Sequence, residues 1–153
     1  MNLEFREKRL VDPNQPSDID AAAEEQSSNG RALLLRLDIQ IPPTRAELLK
    51  RIKLWECVDE SKVVGHCWGD LISGEVLSLG VVKDYEGRGI GRKLLSLVVG
   101  RLRAEKVRRI WLVAPAASDR RAFGFYWALG WQATGERREG DSEVLEFPPE
   151  AEL

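Results

Sequence analysis

Three glycines at alternating positions, Gly87, Gly89 and Gly91, join the apolar run Leu79-Gly80-Val81-Val82 to a second apolar run that includes Ile90, Leu94 and Leu95. A strand that turns into a helix through such residues constrains the chain strongly. The first N–H groups of a helix have no partner within it and carry about half a positive charge, and residues without Cβ let an anion approach the backbone. The turn therefore predicts a cradle for a phosphorylated ligand. The nucleoside-triphosphate loop, G-x-x-x-x-G-K-S/T, matches nothing here. The dinucleotide fingerprint G-x-G-x-x-G fails as well, because its sixth position falls on Arg92 when counted from Gly87 and on Leu94 when counted from Gly89.

Around this turn the hydrophobic periods divide the chain into elements. Lys53 to Asp59, Lys62 to Asp70 and Glu75 to Val82 read as a three-strand antiparallel meander, turned at Asp59-Glu60-Ser61 and at Ser73-Gly74. In the third strand Glu75, Leu77, Leu79 and Val81 share one face, and Gly80 marks a bulge. Gly91 to Lys106 reads as a helix whose apolar stripe is Leu94, Leu95, Val98, Val99 and Leu102. Arg108 to Ala114, short and apolar, is a buried parallel strand reached by a right-handed crossover. Arg120 to Leu129 is the next helix, with Ser118 or Asp119 as its N-cap and Gly130 at its stop. Trp131 to Arg138 and Glu143 to Phe147 close the chain as a hairpin.

The first 53 residues read less cleanly. Leu3 to Leu10 is a candidate opening strand, Asp18 to Ser27 a candidate short helix, and Thr44 caps a helix to Ile52. Ala32-Leu33-Leu34-Leu35 carries a strong strand signal, so Leu33 to Ile39 is either the true first strand or an added element at the edge of a homodimer.

A chain of 153 residues, 43% apolar and 31% charged, suits one domain with one core. Its net charge of -2 gives no reason to expect a nucleic-acid partner, and the basic run Arg101, Arg103, Lys106, Arg108, Arg109 reads as a solvated face. No apolar run approaches the roughly 18 residues of a membrane span, and the N-terminus lacks a signal peptide's apolar core. The expectation is a cytoplasmic protein in which Cys57 and Cys67 are small buried hydrophobes, without a disulfide or a metal site.

Two separated segments carry a resemblance. Glu86-Gly87-Arg88-Gly89-Ile90-Gly91 resembles the pyrophosphate loop of the GNAT N-acetyltransferases, Gln/Arg-x-x-Gly-x-Gly/Ala, at both glycines, with Glu86 in place of the usual Gln or Arg. Asp119 to Trp131 is similar to the superfamily's later motif, Asn-x-x-Ala-x-x-Phe-Tyr-x-x-x-Gly-Phe, at Ala122, Phe125, Tyr126, Gly130 and the aromatic Trp131. The resemblance implies an α+β fold (α/β in the broad sense) in one domain over residues 1–153. Its central sheet is mixed and mostly antiparallel, has helices on both faces, and is splayed between the fourth and fifth strands. It also implies acetyl-CoA as cosubstrate and transfer of the acetyl group to a primary amine of unidentified identity.

Roles follow from the same resemblance. Backbone N–H groups of Arg88, Gly89, Ile90, Gly91 and Arg92 would hold the pyrophosphate, and Leu79, Gly80 and Val81 would pair with the pantetheine arm, the Val81 N–H facing the thioester oxygen. Glu86 is expected to point away from the phosphates. Tyr126 would protonate the departing thiolate, unless it is simply a core aromatic beside Phe123, Phe125 and Trp127. Asp119 either contacts the coenzyme arm or caps its helix. An ammonium must lose a proton before it can attack, and Glu75 is the candidate base, with His66 and Asp70 as lesser ones, unless Glu75 is only a turn-exposed carboxylate. The fold also admits a catalytically idle acyl-coenzyme A sensor or an interaction module using Leu33 to Ile39 as an edge.

Overall fold

The computed structural model describes residues 1–8, 50–114 and 120–153, with residues 120–123 and 139 in backbone only. Strand β1 (Leu3–Lys8) pairs antiparallel with β2 (Ile52–Asp59), β2 with β3 (Lys62–Asp70), and β3 with β4 (Val76–Val81). A single turn at Lys83–Tyr85 leads through the glycines into helix α1 (Ile90–Ala104). Strand β5 (Ile110–Ala114) follows, then helix α2 (Arg120–Ala128) and the hairpin β6 (Gln132–Arg138) and β7 (Ser142–Phe147). The second sheet has the order β5-β7-β6.

Leu3–Lys8 is thus the strand on the outer side of β2, which settles the opening-strand candidate. Lys50 and Arg51 are helical and Ile52 already opens β2, one residue earlier than the sequence pattern gives. The expectations on Asp18 to Ser27, on Leu33 to Ile39 with its homodimer edge, and on Ser118 and Asp119 lie outside the described residues.

Helix α1 lies on the face of β3 that carries Gly65 and Gly69. It buries Ile90, Leu94, Leu95, Val98, Val99 and Leu102, each contributing roughly 1.5–3 kcal/mol on leaving water. A Cβ on Gly65 would stand 3.0 Å from both Ile90 and Leu94, and one on Gly69 2.8 Å from Val98, so the missing side chains set how closely helix and sheet approach. On the opposite face Leu54, Glu56 and Trp68 are buried too. The sheet is therefore covered on both faces.

The two sheets meet at one parallel bridge, Glu75 with Trp111. Trp111 N–H donates to the Gly74 carbonyl at 3.2 Å and its indole N–H to the Ser73 carbonyl at 2.9 Å. Beyond that point β4 and β5 share no ladder, and the sheet opens between the fourth and fifth strands as anticipated. The tie requires Gly74: its φ is +78°, and a Cβ there would collide with the Arg109 carbonyl oxygen.

Gly80 is not a bulge. It stays in register opposite His66, and the irregularity in this pair falls between Trp68 and Gly69. The glycine serves a different need, because the His66 ring lies over it, 2.5 Å from where a Cβ would be. Among the described residues no helix is long and apolar enough to cross a membrane.

Candidate active site

The cleft opened by the splay holds a cavity of about 470 Å³. Leu79, Gly80 and Val81 form its β4 wall, Gly89, Ile90, Gly91 and Arg92 its helix-start wall, and Tyr126 joins from α2. Eight residues chosen from the sequence thus converge on one space. Tyr85, Glu86, Gly87 and Phe125 line it as well and were not singled out as ligand contacts. For Phe125 a signal existed in its motif neighbour Tyr126: Phe125 lies 3.4 Å from where a Gly91 Cβ would stand, so it packs on the cradle itself. Glu86, expected to point away from the phosphates, is itself part of this wall.

The cradle has the geometry an anion needs. Gly89 sits at the helix N-cap in the left-handed region, φ 81° and ψ 6°, and offers no capping side chain. The first helical bond runs from Lys93 N–H to the Gly89 carbonyl at 3.0 Å, so the N–H groups of Ile90, Gly91 and Arg92 precede the ladder. A Cβ on Gly87 or Gly89 would meet nothing within 4 Å, so these glycines answer to backbone conformation and leave the space above the amides open.

Strand parity fixes the other wall. Val82 N–H donates to the Val64 carbonyl at 2.9 Å, toward β3. Donors alternate along a strand, so the N–H groups of Leu79 and Val81 point the other way, into the cleft. Two backbone donors on a strand edge that is open among the described residues can pair with an amide-bearing chain, and the outer one can face a developing oxyanion.

Arg88 is not in the wall. Its guanidinium lies 5.3 Å from the Tyr85 ring and reaches the Met1 sulfur, and Tyr85 donates its hydroxyl to Asp59. Asp119 lies outside the described residues. Tyr126 packs edge-on against Phe125 at 5.2 Å and Trp131 at 5.9 Å, and burial, with Cys67 nearby, pushes its phenol up. Such a phenol stays protonated at any working pH.

Glu75 is no turn-exposed carboxylate. It is 2% exposed, at the foot of β4 and outside the cavity wall. Asp70 is committed elsewhere: its fully buried carboxylate accepts two hydrogen bonds from Arg51 at 2.8 and 2.7 Å, and others from Ile72 and Ser73. Burial pushes this carboxyl up, but Arg51 and the turn donors outweigh it and hold it below the usual range. Cys57 and Cys67 are both free and buried.

A splayed mixed sheet with a glycine cradle at the mouth of the splay defines a class of coenzyme A-dependent acyltransferases. The sequence matches the model of the acetyltransferase (GNAT) family over residues 22–131, and the chain belongs to that family, whose cosubstrate is acetyl-CoA. Among solved structures it is similar to the PaiA N-acetyltransferase of Thermoplasma acidophilum in complex with coenzyme A. That match has 16% identity and a TM-score of 0.65, and covers 96% of this chain and 99% of that one. It is also similar to the ribosomal-protein-S18-alanine N-acetyltransferase of Escherichia coli, at 19% identity and a TM-score of 0.63 over 98% of this chain and 96% of that one. An acetyltransferase from Streptococcus agalactiae matches at 20% identity with a TM-score of 0.60, over 95% and 97%. No curated protein matches the sequence.

Proposed function

We propose that this protein is an N-acetyltransferase that moves the acetyl group of acetyl-CoA to a primary amine, of a small molecule or of a protein or peptide, by direct attack in a ternary complex. The observation that carries the reading is the cavity itself, which the open helix start, the outer edge of β4 and Tyr126 line together. The amides of Gly89 to Arg92 bind the pyrophosphate, with the Arg92 and nearby Arg88 charges adding attraction. Leu79, Gly80 and Val81 orient the pantetheine arm, and Val81 N–H donates to the carbonyl oxygen as charge builds on it. Tyr126 gives its proton to the departing thiolate.

Glu75, the carboxylate that the sequence offers as base, is six residues and roughly 20 Å of strand rise from Val81, too far to take the amine's proton directly. Asp119 remains a contact for the coenzyme arm in this reading. Two free buried thiols fit a reducing, cytoplasmic setting.

The test is incubation with acetyl-CoA and a panel of primary amines, following free thiol and the mass of the acceptor. Thiol release with a gain of one acetyl group on an amine is expected. Calorimetric binding of acetyl-CoA with no thiol release on any acceptor would instead favour an acyl-coenzyme A sensor.

A further inference from the structure

Four residues stand in one row across the first sheet. Arg6 on β1 is opposite Glu56 on β2, Glu56 is opposite His66 on β3, and His66 is opposite Gly80 on β4. The row lies on the sheet face opposite α1, because the neighbouring row holds Gly65 and Cys67, and a Gly65 Cβ would touch α1 side chains. Its last member, Gly80, is part of the cavity wall, and His66 stands one strand behind that wall.

The contact at the end of the row is unusually close. A Cβ on Gly80 would lie 2.5 Å from His66 Cε1, 3.1 Å from Nε2 and 3.3 Å from Nδ1, so the imidazole rests directly on the glycine. Gly80 stands between Leu79 and Val81, the two residues whose N–H groups enter the cleft. His66 Nε2 is 3.4 Å from the Ser78 hydroxyl of β4. Behind the ring, Glu56 is 3% exposed and takes the Arg6 guanidinium at 2.7 Å.

We propose that His66 accepts the ammonium proton of the acceptor at the β4 edge, positioned by Ser78 and Glu56, so that this chain carries its base on β3. The assignment rests on the acetyltransfer reading above. One N–H proton of the ammonium passes to the imidazole, and the freed lone pair forms the C–N bond to the thioester carbonyl carbon. The C–S bond breaks with the proton of Tyr126 on sulfur, the second N–H proton replaces it on the phenolate, and His66 releases its own to solvent. Burial pushes the imidazole below its usual range while Glu56 opposes the shift, so the ring is neutral and ready to accept at neutral pH. A ring that merely filled the space over Gly80 would need neither a buried carboxylate behind it nor a hydroxyl beside it.

His66 is the sole histidine of the chain, so its titration is read without assignment from the imidazole signals of untagged protein. The imidazole midpoint is expected to coincide with the acid limb of kcat/KM, and Glu56→Gln is expected to move both to lower pH together. With the best acceptor of the panel, His66→Ala and His66→Gln are expected to lose about 10²–10³-fold in kcat at pH 7 with acetyl-CoA affinity kept. The deficit shrinks as pH rises toward the amine's own pKa, and free imidazole restores part of it to His66→Ala. If wild-type protein turns over while both variants stay within about threefold of it, or if the acid limb and the imidazole titration do not coincide, the role of His66 is refuted and acetyltransfer stands. If wild-type protein binds acetyl-CoA but releases thiol with no amine, acetyltransfer itself falls, and this proposal with it.

Discussion

The indole N–H of Trp111 donates to the carbonyl oxygen of Ser73 at 2.9 Å, which anchors the second sheet to the turn at the foot of β4. The turn is itself anchored. Asp70, which holds Ile72, Ser73 and Arg51 together, accepts the Ser73 hydroxyl at 2.8 Å. The cleft therefore begins at a rigid hinge point and opens along β4 toward the glycine cradle, with the distance between its walls set at one end.

That hinge point predicts the effect of Gly74→Ala. The substitution combines a φ of +78° with a Cβ only 1.8 Å from the Arg109 carbonyl oxygen, and backbone cannot move aside as a side-chain end can. A loss of at least about 2 kcal/mol is expected by urea unfolding, with weaker coenzyme A binding because both walls shift. Trp111→Phe, which removes one hydrogen bond and keeps most of the packing, is expected to cost only about 1 kcal/mol.

The cradle predicts the opposite pattern for Gly89→Ala. Nothing lies within 4 Å of the added methyl, so folding pays only for the left-handed conformation, about 1 kcal/mol. The methyl and the strained φ both act where the pyrophosphate approaches, so calorimetry with coenzyme A is expected to record a loss of about tenfold or more. Unchanged affinity in the folded variant would remove these amides from the binding site.

Asp70 predicts a pH dependence of stability. Its folded carboxyl lies below the unfolded value of about 3.9. The group therefore contributes stability that is complete above that value and is lost as pH falls through the lower folded one. Wild-type urea midpoints are expected to drop between pH 5 and pH 3 by more than those of Asp70→Asn. At pH 7 the variant is expected to be less stable by about 3 kcal/mol, because Arg51 keeps its charge and the turn loses its acceptor.

Much of this was legible in the residues. Periodicity separated α1 from the strands around it, since Leu94, Leu95, Val98, Val99 and Leu102 recur at helical spacing and all are buried. The cradle was legible because glycines before a helix have few other physical uses. Side-chain direction was less legible: beside Ser73-Gly74 the sequence left Glu75 either a base candidate or a turn-exposed carboxylate, and a parallel bridge to a strand 36 residues later goes with its burial. Gly80 read as a bulge for the same reason, since local sequence does not reveal that a ring from β3 occupies the space over it. Arg88 and Arg92 looked alike beside the loop, but Tyr85 draws only Arg88 away from the wall. The first two differences come from partners on other strands, and Arg88 is held by Tyr85, three residues before it, and by the distant Met1.

Tyr126→Phe separates chemistry from packing. The ring contacts to Phe125 and Trp131 are edge-on and need no hydroxyl, so the variant is expected to fold with unchanged stability and to bind acetyl-CoA within about twofold of wild type. Removal of the proton donor is expected to lower kcat by about 10²–10³-fold at pH 7. A thiolate needs no donor once the pH exceeds the pKa of its thiol, about 8.5, so the deficit is expected to narrow above that pH while the buried phenol of the wild type remains protonated. A pH-independent deficit would mean that the hydroxyl positions the acceptor instead. An absence of any deficit would leave Tyr126 as a wall of the cavity and nothing more.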